Sequence, residues 1–147
     1  MLKVKTEVRS SKIAGRGLFL SEFIEKDAVV WEYDPSVDKI FNDEEIERLC
    51  EVELKKLLFH AYLNQVTGKV VYCGDGASYI NHSMEPNLLV IENGKPEGAC
   101  IAARDLYPGE ELTCDYYEFD GVADWKLGKC EELILECVAD KLKSADS

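Results

Sequence analysis

The strongest constraint on the fold is punctuation: short β-branched and apolar runs, each closed by a turn signal. Residues 28–33, 69–73, 88–91, 99–103 and 111–114 are such runs, and Asp34-Pro35, Gly74-Asp75-Gly76, Asn93-Gly94 and Pro108-Gly109 separate them. Residues 3–8 read K-V-K-T-E-V, the period-two alternation of a half-buried strand, before the polar break at Arg9-Ser10-Ser11. Runs this short cannot make long helices, so the chain is expected to be mainly β, built from short strands joined by tight turns.

Two segments depart from that pattern. Asn42 can cap a helix with Glu45 three residues on, and Ile46, Leu49, Cys50, Leu54, Leu57, Leu58 and Ala61 then recur at helical spacing. One inserted amphipathic helix over residues 43–63 is the expectation. After Asp120-Gly121, Leu127, Leu133, Ile134, Cys137, Val138 and Leu142 suggest a second helix, interrupted near its start by Gly128. No internal repeat is present, and 147 residues suit one domain able to stabilise itself without disulfides or a structural metal.

Charge narrows the function classes. Twenty-nine Asp and Glu against 17 Lys and Arg give a net charge of −12, which repels phosphate backbones and anionic lipid. Direct nucleic-acid and membrane partners are therefore not expected. The first ten residues alternate charged and apolar side chains, unlike a signal peptide, and no apolar run exceeds five residues. A soluble, intracellular protein is the expectation, its compartment unresolved between cytoplasm and nucleus. The six cysteines form no C-x-C or C-x-x-C, which favours reduced, buried thiols over a disulfide framework or metal cluster.

Three segments carry residues that a simple core does not need. They are A-G-R-G-L-F at 14–19, Y-I-N-H-S-M-E-P-N at 79–87 and G-E-E-L-T-C-D-Y-Y at 109–117. Alone, the G-x-G is an ordinary tight turn. In this order and at these separations the three resemble the SET-domain protein lysine methyltransferases, which carry a G-x-G-x-F stretch, an N-H-S-x-x-P-N box and a G-E-E-L-T-x-D-Y ending. The likeness runs from residue 4 to about 117 and is most specific in the second and third boxes.

That resemblance implies a SET-domain fold over residues 1–120, in which the C-terminal segment passes through a loop around the N-H-S box as a pseudoknot, with the 43–63 helix as a variable insertion shaping the substrate groove. Residues 121–147 would form a helical tail covering the cofactor site. It also implies S-adenosyl-L-methionine as cofactor, contacted by backbone groups at Ala14, Arg16 and Gly17 and by Tyr79, with Asn81 and His82 holding its amino-acid end. Tyr116 would border the lysine channel as the catalytic residue. The substrate would be a lysine-rich protein, a histone or another basic protein. The acidic surface fits such a partner, and fits equally an ordinary soluble surface.

The chemistry accounts for these residue types. An amine must attack a sulfonium methyl in line, yet with an unperturbed lysine pKa only about one side chain in 2,500 is neutral at pH 7. A narrow apolar channel disfavours the ammonium, and alignment of the reacting atoms lowers the entropic barrier. A tyrosine hydroxyl can then steady the electron-poor methyl.

The sequence also departs from the pattern. Met84 stands where many members place a zinc-binding cysteine, and the tail offers only Cys130 and Cys137, so no metal is expected. Trp125 could lie on the adenine or anchor the C-terminal helix. Ser78 replaces a frequent arginine, and the small Cys114 and Val90 would widen the methyl-lysine pocket. A catalytically silent SET module acting as a binding domain is the alternative, and it would be favoured by loss of Tyr116 or of Asn81 and His82, all of which are present.

Overall fold

A computed structural model describes residues 1–129. In chain order the elements are β1 Thr6–Ser10, β2 Arg16–Leu20, β3 Val29–Glu32, β4 Lys39–Phe41, α1 Asp43–Glu47, α2 Glu51–His60, β5 Ala61–Leu63, β6 Val70–Tyr72, β7 Asn81–His82, β8 Leu88–Ile91, β9 Ala99–Ala102, β10 Thr113–Cys114 and α3 Ala123–Lys126. Single 3-10 turns occupy Gly76–Tyr79 and Tyr116–Glu118. The described chain is thus mainly short strands in small sheets, as the turn punctuation implies. Among the described residues no helix is long and apolar enough to cross a membrane.

The described chain divides into two compact units, the first made of residues 1–38 and 73–118, the second of 39–72 with 119–129. In the first unit β1 and β2 form an antiparallel ribbon with Val8 opposite Leu18. The far edge of β2 is bonded as well, since Leu112 N–H donates to Leu18 O and Leu20 N–H to Glu110 O. A second sheet runs β3-β9-β8, all antiparallel. Leu18, Leu20, Val30, Leu88, Leu106 and Leu112 are essentially without exposure and form the unit's core. Each such side chain contributes about 1.5–3 kcal/mol relative to remaining in water. The turn before the second motif needs glycine for space: a Cβ on Gly74 would sit 1.9 Å from the carbonyl oxygen of Val37.

The second unit is the sheet β4-β6-β5 packed on helices. Ile46, Leu54, Leu58, Leu63, Val70 and Val122 form its buried cluster. Here the expected single helix over 43–63 is corrected to two helices and a strand. α1 begins as expected, with Glu45 N–H donating to Asn42 Oδ1 at 2.9 Å and Asn42 N–H donating to the Glu45 carboxylate. A second start signal ends that helix early: Glu53 accepts the N–H of Cys50 at 3.1 Å, so the chain restarts at Glu51. Residues 61–63 leave the helix because they pair with β6, which buries Leu63 completely. Tertiary pairing outweighs helical periodicity there.

The end of the described chain is pinned within this unit. The Asp120 carboxylate, fully buried, accepts N–H groups from Leu63 and Val122 and faces Lys126 Nζ at 2.6 Å. α3 is one short turn, and the C-terminal helix expected beyond Gly128 lies outside the described residues.

Candidate active site

The second and third motifs meet through backbone pairing. β7 runs parallel to β10, with Asn81 opposite Thr113 and His82 opposite Cys114, and Ser83 N–H donates to Cys114 O at 3.0 Å. Two polar residues cannot hold a strand by burial, so side chains reinforce it. Asn87 does most of this: its Nδ2 donates to Glu111 O at 2.8 Å and its Oδ1 accepts Thr113 N–H at 2.8 Å. These bonds satisfy backbone groups on the segment leading to Tyr116 that would otherwise go unpaired.

His82 lies between the rings of Tyr116 and Tyr117, at centroid distances of 5.2 and 5.7 Å. Its Nδ1 accepts the backbone N–H of Tyr116 at 3.1 Å, which leaves the imidazole proton on Nε2, and Asp115 Oδ1 is 3.7 Å from the same Nδ1. The hydroxyl of Tyr116 donates to the carbonyl of Ile80 at 2.7 Å. Tyr116 is therefore tied at both ends to the residues that flank Asn81.

The first motif joins through Asn81. Its Nδ2 lies within 3.2 Å of four oxygens: Ser11 Oγ, Ala14 O, Arg16 O and a Glu111 carboxylate oxygen. Asn81 Oδ1 has no hydrogen-bond partner among the described residues. The loop that presents these carbonyls turns at Gly15, whose φ is +44°, and Ser11 N–H closes it on Gly15 O. Gly17 is sterically required, because a Cβ there would lie 2.3 Å from Glu111 Oε2.

The structure thus brings Ala14, Arg16, Gly17, Asn81, His82 and Tyr116 into one connected network. Tyr79 sits half-buried in the 3-10 turn just before β7. Trp125 belongs to the second unit, where its ring packs on Phe59 at 4.7 Å. Glu111 lies in the third motif and Ser11 in the polar break after the first strand, and the sequence pattern assigns neither a role. Nothing in a single sequence marks a serine 100 residues away as a partner of Glu111.

Elsewhere in this unit, burial pushes the thiols of Cys73 and Cys100 up to about 12. Among the described residues no three His, Cys, Asp or Glu side chains gather as a metal site requires, while Cys130 and Cys137 lie outside them.

The acceptor chemistry of this corner suits a ligand with a cationic amino group. Ala14 O, Arg16 O, the free Asn81 Oδ1 and the Glu111 carboxylate are all acceptors, and the loop at Gly15 is open, with nothing within 4 Å of an added Cβ. The amino-acid end of S-adenosylmethionine meets that description.

The fold agrees with the comparisons. Residues 15–117 match the family described as SET domain, and the chain belongs to that family. It is 33% identical over 129 residues to rat histone-lysine N-methyltransferase SETMAR, covering 78% of this chain and 40% of that protein. The human protein of the same name is 34% identical over 116 residues, with 69% and 16% covered. Human histone-lysine N-methyltransferase 2D is 30% identical over 113 residues, covering 75% of this chain and 2% of the relative. The chain therefore spans less than half the length of these relatives.

Proposed function

We propose that this chain is an S-adenosylmethionine-dependent protein lysine N-methyltransferase acting on a basic protein such as a histone. The observation that carries the reading is the double anchoring of Tyr116 beside Asn81 and His82, within a SET domain whose relatives are named histone-lysine N-methyltransferases. The cofactor, when bound, supplies a methyl group on a positively charged sulfur.

The remaining work falls to the protein's own residues. Ala14, Arg16, Gly17, Tyr79, Asn81 and His82 hold the cofactor, the first three through backbone atoms. Because the Tyr116 proton is committed to Ile80 O, the phenolic oxygen offers lone pairs, and these orient the attacking amine and stabilise an electron-poor carbon. Burial of the substrate lysine stem against apolar groups favours its neutral amine, and the lost proton leaves to solvent before attack. Small side chains at Cys114 and Val90 leave room for more than one methyl group.

The test is transfer of label from S-adenosylmethionine to a panel of histones and other basic proteins. Label retained on lysine supports the reading. Binding of S-adenosylhomocysteine without transfer to any basic protein would favour a silent SET module, and absence of both would remove the cofactor reading.

A further inference from the structure

Glu111 holds together three segments that are far apart in sequence. Both its carboxylate oxygens lie 2.8 Å from Ser11 Oγ, and one lies 2.9 Å from Asn81 Nδ2. The backbone of Glu111 forms an antiparallel bridge with Phe19, which aims the carboxylate at the start of β2 and makes glycine necessary at position 17.

The proton count at this site is restrictive. Ser11 has one hydroxyl proton, and two carboxylate oxygens at equal distance claim it. Ser11 Oγ also accepts Ile13 N–H at 2.9 Å, so toward Asn81 it too is an acceptor. All four oxygens around Asn81 Nδ2 are then acceptors, and an amide nitrogen has only two hydrogens to give. Turning the amide over would set Oδ1 against the same four oxygens. Among the four, the carboxylate is the strongest acceptor, since a hydrogen bond to a charged group is roughly twice as strong as a neutral one.

We propose that Glu111 is a positioning residue for the cofactor's amino-acid end: its carboxylate fixes Asn81 Nδ2 inward and so keeps Asn81 Oδ1 free to accept a hydrogen bond from a cationic amino group. This rests on the methyl-donor reading above. The negative charge of Glu111 adds an attraction for the same ammonium, so the device selects a charged amine over a neutral ligand. The adenosine part of the cofactor gains nothing from it.

That asymmetry supplies the test. Calorimetry is run with S-adenosylhomocysteine and with 5′-methylthioadenosine, a thioether nucleoside lacking the amino-acid end, on wild type, Glu111→Gln and Ser11→Ala, with a melting curve for each. Glu111→Gln keeps the shape and removes the charge. The expected result is S-adenosylhomocysteine affinity about tenfold weaker, corresponding to the loss of one charged hydrogen bond, with methylthioadenosine affinity unchanged within about twofold. Ser11→Ala gives a smaller loss of the same selectivity, and decides the matter if Glu111→Gln does not fold. Equal weakening of both ligands, or of neither, overturns the proposal while leaving the methyl-donor reading in place. A wild type that binds neither ligand removes that reading, and the proposal with it.

Discussion

The hydroxyl of Tyr116 donates a 2.7 Å hydrogen bond to the carbonyl oxygen of Ile80, while the backbone N–H of Tyr116 donates to His82 Nδ1. One residue on either side of Asn81 thus holds each end of the tyrosine. The ring cannot rotate away without breaking one bond, and the peptide cannot shift without breaking the other. A hydroxyl held this way is preorganised, which is the condition under which a single hydrogen-bonding group contributes most to a transition state.

Asn87 is the clamp that delivers Tyr116 to this place. Asn87→Ala would leave Glu111 O and Thr113 N–H without their side-chain partner, each in part-buried surroundings. A loss of about 2 kcal/mol is expected from two such groups left unpaired. Chemical denaturation should show a lower midpoint at unchanged slope.

The second unit has its own pin. Lys126→Met would strand the Asp120 carboxylate, whose side chain has no exposure, and breaking one side of a buried pair costs about 3–5 kcal/mol. Combining it with Asp120→Asn should recover part of that loss, because the stranded charge is removed too. A double-mutant cycle on melting free energies reads the coupling directly.

How far the sequence anticipated these contacts depends on whether they were local. β8 matches its apolar run at 88–91, and β3, β6 and β9 lie inside theirs, because alternation and turn residues act over a few positions. β1 is displaced from 3–8 to Thr6–Ser10, since Arg9 and Ser10 pair with Gly17 and Arg16 despite their polarity. β7 has no strand signal: Asn81 and His82 extend because a segment 32 residues away pairs with them. The helix at 43–63 misled for the same reason, its last three residues being taken by β6. The motif boxes made the site legible as a set of residues. Its wiring through Ser11, Asn87 and Glu111 depends on long-range packing that spacing does not encode.

Two thiols, one buried and one half-buried, give a pH prediction. Cys73 and Cys100 are raised from 9.0 to about 12, by burial first and then by nearby carboxylates such as Asp38 and Glu118 respectively. A folded pKa above the unfolded one means that the folded state retains protons the unfolded state has lost. Their contribution is therefore fully present below pH 9 and is lost as the pH rises from about 9 to about 12. In a Cys130→Ser/Cys137→Ser background, a thiol reagent at pH 8 should label the exposed Cys50 rapidly, the half-buried Cys100 more slowly, and Cys73 only on unfolding.

The net charge makes a kinetic prediction for the proposed substrate. If acidic side chains attract a basic protein, raising salt should raise the apparent KM for that protein while leaving S-adenosylhomocysteine affinity nearly constant. Initial rates from low to moderate ionic strength check this, and a KM insensitive to salt would assign the charge to solubility alone.

Methyl transfer at Tyr116, the proposed step, is tested most directly by the initial rate of label transfer from S-adenosylmethionine to a histone by wild type and Tyr116→Phe. Calorimetry with S-adenosylhomocysteine is performed on the same preparations. The substitution removes one oxygen and keeps the ring beside His82. The expected result is transfer by the wild type, a fall in turnover of about 10² or more in the variant, and cofactor affinity largely preserved. A variant that turns over within a few-fold of wild type, or a wild type that binds the cofactor product and transfers nothing, would contradict it.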